Sequence, residues 1–131
     1  MTVTTEQLVR DRINNDSSQP HNLGGRIRPN LRYAKDQMPA VVYNVLSEES
    51  QNNLAGSDGQ VVKVECVALA HDYGMALDIA KRIRTLFDAH RDGTNNATTT
   101  VGVLDVDQLA PVDGSEAGPW AATVSIQVVR Y

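Results

Sequence analysis

Apolar residues recur along this chain with two periods, and the change from one to the other marks strands and helices. Thr4 or Thr5 is placed to cap a short helix reaching about residue 15, with Leu8, Val9 and Ile13 as a thin apolar stripe. Residues 14–22 are polar and run into Gly24-Gly25, which reads as a loop. Gly25-Arg26-Ile27-Arg28-Pro29 is a short extended piece stopped by proline. After an irregular stretch at 30–38, Pro39 opens a strand over 40–48, with Val41, Tyr43 and Val45 on one face and Val42, Asn44 and Leu46 on the other. The polar run SQNNLAGSDG predicts a loop.

The next strand spans 60–70. Val62, Val64, Cys66 and Ala68 make an unbroken apolar face, while Lys63 and Glu65 interrupt the other. Asp72 caps the strongest helix, predicted from Tyr73 to about His90, where Ala76, Ile79, Ala80, Ile83, Leu86 and Phe87 fall on one side. Arg91-Asp92-Gly93 is expected to end it. A Thr/Val-rich strand at 98–106 follows, then a long loop holding Pro111, Gly114, Gly118 and Pro119. In the closing strand, 120–131, Ala122, Val124, Ile126 and Val128 alternate with Thr123, Ser125 and Gln127. That alternation predicts one covered face and one polar, solvent- or partner-facing face. The resulting expectation is a single α+β domain over 1–131, a mainly antiparallel sheet with two helices packed on one face.

At 131 residues and a net charge of −4, the chain is of one-domain size and lacks the basic excess of a general nucleic-acid binder. Cys66 is the one cysteine, which excludes an intrachain disulfide. The opening MTVTTEQLVRDR has no apolar stretch of the signal-peptide kind, and no segment nears the ~20 apolar residues of a membrane span.

Catalytic and metal motifs are not found. His21, His71 and His90 are far apart and form no HxxxH or HxH pair. Asp105-x-Asp107 begins like a cation loop, but Gln108-Leu109-Ala110 breaks the pattern, leaving a strand end turning into solvent. Gly24-Gly25-Arg26 lacks the rest of a phosphate loop, and there is no GxSxG elbow. Cys66, inside an apolar strand, reads as inert packing. One charge feature stands out: Arg26, Arg28, Arg32 and Lys35 lie within ten residues free of acid. They make either a solvated loop or a patch facing a phosphate backbone or an acidic partner. Tyr33 alone is too little for a stacking platform.

The order of these features resembles the tail-completion (tail-to-head joining, or tail terminator) proteins of long-tailed bacteriophages. The likeness runs through Gly25-Arg26-Ile27-Arg28-Pro29, then the proline-led Pro39-Ala40-Val41-Val42-Tyr43, then a polar hairpin at Leu54-Ala55-Gly56. The alternating strand at 62–70 follows, running directly into the Ala-rich helix at 73–89, and a last alternating strand closes the chain. The resemblance implies a structural virion protein, not an enzyme, with no cofactor. It implies a homo-oligomeric ring, a hexamer, that caps the tail tube, binds the tail tube protein and joins the head-tail connector or stopper protein. The expected location is the head-tail junction of the virion, with host cytoplasm during assembly, passive contact with DNA in the channel and no membrane. Alternatives are another neck ring protein, of the head-completion or stopper kind, and a small ferredoxin-like ligand-binding domain.

Overall fold

Thr4 starts the first helix as its position predicts: its hydroxyl accepts the Gln7 N–H at 3.1 Å. In the computed structural model the chain is described over residues 4–21, 23, 25–29, 38–51, 59–93, 97–109 and 119–130. The elements are α1 (Thr5–Asn14), β1 (Ile27–Pro29), β2 (Ala40–Gln51), β3 (Gly59–Ala70), α2 (Tyr73–Phe87), β4 (His90–Asp92), β5 (Ala97–Gln108) and β6 (Trp120–Arg130). Asp72 caps α2, its carboxylate accepting the Gly74 N–H at 3.3 Å.

The six strands form one sheet in the order β1-β2-β3-β6-β5-β4. All neighbours pair antiparallel except β1, which lies parallel to β2 with Ile27 opposite Val41 and Pro29 opposite Tyr43. The sheet is therefore mixed within an α+β domain. β3 and β5 each pair antiparallel with β6 between them, so they run parallel to one another, linked through α2.

Cross-strand register puts one row after another onto the covered face. Val62 is opposite Val128, Val64 opposite Ile126, Cys66 opposite Val124 and Ala68 opposite Ala122. The stripe Ala76, Ile79, Ala80, Ile83 and Phe87 of α2 is fully buried, and it shares one core with Leu8, Val9 and Ile13 of α1 and with that sheet face. Alanines at 76, 80, 68 and 122 leave room for close helix–sheet approach, while each buried Val or Ile stabilises the fold by about 1.5–3 kcal/mol relative to exposure.

Three features differ from the sequence expectation. β2 runs on past Glu48 to Gln51, and Ser50, Gln51 and Gly59, expected in the loop, are strand, because Ser50 pairs with Gln60 and Gln51 with Gly59. The helix ends at Phe87 rather than near His90. Ala89 takes a left-handed φ of 49°, and the Thr99 hydroxyl, buried behind it, donates to the Phe87 carbonyl at 2.7 Å. The chain so redirected makes β4, pairing His90 with Thr99 and Asp92 with Ala97, where Arg91-Asp92-Gly93 was expected only to end the helix. Most of the polar hairpin and of the long loop before Pro119 lies outside the described residues.

Candidate functional site

The groups capable of chemistry are the histidines, the cysteine and the residues lining the surface depressions. His21 Nε2 lies 3.3 Å from Asp78 Oδ2, His71 is exposed, and His90 is half-buried. Burial, with the Arg12 charge beside it, holds the His90 pKa below its usual value. Among the described residues no group of three or more His, Cys, Asp or Glu side chains converges as metal ligands. The Cys66 thiol is fully buried, and burial with the nearby Glu65 charge pushes its pKa up to about 12, so it is neither nucleophile nor ligand at neutral pH.

A depression of about 470 Å³ lies between the end of α1 and β1, lined by Ile13, Asp16, Gln19, His21, Leu23 and Ile27 among others. Its titratable groups are already committed. Arg82 binds Asp16 by two hydrogen bonds, and His21 faces Asp78. Asp16 is held below the usual carboxylate range chiefly by the Arg82 hydrogen bonds, against the opposing effect of burial. Together with the Arg12 Nε–H donated to Leu86 O at 2.8 Å, these contacts meet α2 at residues 86, 82 and 78, one per turn. They pin α1 and its following turn along α2; their geometry is that of a structural lock.

The remaining surface of note is the sheet face opposite the helices. Its rows mix polar and apolar groups: Lys63 opposite Gln127, Glu65 opposite Ser125, and Val67 opposite Thr123. Lys63 and Gln127 are exposed, and Glu65, Val67, Thr123 and Ser125 are half-buried. No helix of the described residues packs on this face, since both helices belong to the core on the other side. Two bulges shape it. In β2 the extra residue is Leu46, 51% exposed, and in β5 Gly102 and Val103 interrupt the register between Val101 and Leu104, with Val103 72% exposed. Between the bulges lies a shallow depression of about 310 Å³ lined by Leu46, Lys63, Thr100, Gly102, Ser125 and Gln127.

The basic segment falls partly on this face. Ile27 points into the core, so Arg28, the next residue of β1, lies on the open side of the sheet at that edge, while Arg26 sits in the turn that leads into β1, its N–H donating to Leu23 O at 2.9 Å. Both are half-buried; the Arg26 Nε–H donates to Pro39 O at 2.9 Å. Arg32 and Lys35 lie outside the described residues. The β5 bulge turns Asp105 and Asp107 onto the same open face at the far edge, both exposed, while Leu104 and Val106 turn to the core. Both aspartates do face solvent as expected of a strand end, and the glycine inside the strand pattern, Gly102, is the local sign of the bulge that sets their side of the sheet.

Neither a scan against protein-family models nor a search of curated proteins found a match to this chain. No helix of the described residues is long and apolar enough to cross a membrane.

Proposed function

We propose that this chain is a structural subunit of a long-tailed phage, a tail-completion protein that works as a ring on the end of the tail tube and joins it to the head connector. The observation that carries the reading is the division of the sheet. One face holds a complete two-helix core, and the other, half polar and bounded by two bulges, has no helix of the described residues on it. A subunit that must bind neighbours along a tube axis needs such a second face, whereas an enzyme needs convergent titratable groups, and the candidates here are occupied in structural pairs. Order supports it as well: a proline-led β2, a β3 that runs directly into the Ala-rich α2, and a closing alternating β6.

Growth of a tail tube is an open stacking of rings. It stops when a subunit resembles the tube on one side and refuses a further ring on the other, and heterologous contacts saturate once the rotation closes. A ferredoxin-like ligand-binding domain fits less well. That fold interleaves two βαβ units, and here only β3-α2-β5 has that form, with α1 preceding every strand.

Electron microscopy of the purified protein tests the reading: closed rings are expected, with six-fold symmetry. A monodisperse monomer at all accessible concentrations contradicts it.

A further inference from the structure

The two ends of the sheet carry opposite charge at matching heights. Following the pairing across the strands, Arg28 is level with Val42, Val67, Thr123 and finally Asp105. One row along, Ala40, Leu69, Ala121 and Asp107 are level, and Arg26 precedes Ile27 beside Ala40, its carbonyl accepting the Val41 N–H at 2.9 Å. The first row thus begins in Arg28 at the β1 edge and ends in Asp105 at the β5 edge, both on the open face; the second ends in the exposed Asp107, with Arg26 in the turn at its other end and the buried Ala40, Leu69 and Ala121 between them. Four strand spacings separate the ends, about 19 Å, so the arginines and aspartates do not meet within one subunit.

Both edges are open for pairing among the described residues. β1 has β2 on one side only, and β4 covers β5 only at residues 97–99, leaving 100–107 with β6 as the sole neighbour. The two edges also run in opposite senses: β1 is parallel to β2, and β2, β3, β6 and β5 alternate. A second copy set beside the first, its sheet continuing the same rows, therefore presents β5 antiparallel to β1. In that register Arg28 meets Asp105, Ile27 meets Val106 and Arg26 meets Asp107. Charges of opposite sign fall opposite one another, and the central pair falls on the core side of both sheets.

We infer that the occupant of the β1 edge is the β5 edge of a second copy of this chain, joined by strand addition and by the Arg28–Asp105 and Arg26–Asp107 pairs. This rests on the ring reading above and gives it an interface. The contact is heterologous, edge to opposite edge, which is the kind that closes into a ring. Backbone hydrogen bonds supply the adhesion, and the charge pairs set register and refuse other edges. Arg26 and Arg28 already make contacts within the subunit, and a guanidinium with five N–H donors has capacity for a further carboxylate.

Charge reversal on either edge tests it, read by sedimentation velocity and native mass spectrometry. Wild type is expected to assemble. D105R/D107R places arginine against arginine, and R26E/R28E places glutamate against aspartate. Each alone should dissociate, its Kd rising about tenfold or more. Mixed one to one, the two variants should reassemble to the wild-type size with alternating copies, because each then meets a complementary edge. Asp105 and Asp107 are exposed, so D105R/D107R keeps the fold, checked by circular dichroism, and it decides the matter if loss of the Arg26–Pro39 hydrogen bond unfolds the other variant.

Assembly of D105R/D107R like wild type overturns the edge pairing while leaving the ring reading intact. So does an R26E/R28E variant that assembles normally but loses affinity for a double-stranded DNA oligonucleotide, which assigns the edge to DNA. A wild-type protein that stays monomeric removes the ring reading, and the edge pairing with it.

Discussion

Arg82 holds Asp16 in a forked pair, Nε to Oδ2 at 2.8 Å and Nη2 to Oδ1 at 2.9 Å, and the Asp16 side chain is only 3% exposed. The same carboxylate accepts the Ser18 N–H at 3.0 Å, so one side chain both shapes the turn after α1 and ties it to α2. This pair explains how a helix with only a thin apolar stripe stays in place.

The pair makes stability pH-dependent with a defined sign. The folded-state pKa of Asp16 lies below the ordinary 3.8, so its contribution is present above 3.8 and is lost as the pH falls through the folded value. Asp16→Asn should lower Tm by roughly 5 °C at neutral pH. The gap to wild type should close as the pH is lowered below 3.8. A gap that stays constant across that range would assign the loss to the turn alone.

The orientation of α2 gives a second expectation. Ile83 is fully buried and Arg84, the next residue, is exposed. Ile83→Asp places an unpaired carboxylate in the core and should cost about 3–5 kcal/mol, enough to unfold much of the protein. Arg84→Asp should cost under about 1 kcal/mol, chiefly from lost interaction with the helix C-terminus. Urea denaturation of the two variants compares them directly, and equal midpoints are incompatible with this packing.

Cys66 should behave as packing. With its pKa at about 12 and no exposure, the native protein should resist an aromatic disulfide reagent at pH 8 and react with one equivalent after unfolding. Rapid native labelling would show that β3 opens on the timescale of the assay.

Much of this was legible in the sequence because burial and period coincide. Ala76, Ile79, Ala80, Ile83 and Phe87 could only be one helix face, and the alternation at 122–128 could only be a strand with one face covered. What escaped was set by pairing rather than by pattern. Residues 49–51 are polar and suggest a loop, yet they continue β2 because they pair with residues 59–61 of β3. β1 is a three-residue strand whose parallel partner lies beyond residue 39, so its place at the sheet edge carries no local signal. The bulge at Gly102 and Val103 moves Asp105 and Asp107 to the open face, and only register, not composition, shows that Asp105 stands level with Arg28. Of the expected basic patch, the structure places Arg26 and Arg28 together on one edge, while Arg32 and Lys35 lie outside the described residues.

The proposed role of this subunit is to end the tail tube and join it to the head. Electron microscopy of lysates from phage lacking the protein tests it most directly. Filled heads and separate tails that do not join are expected, the tails irregular and often too long, with complementation by the wild-type chain. Joined particles carrying tails of normal length in its absence would contradict it.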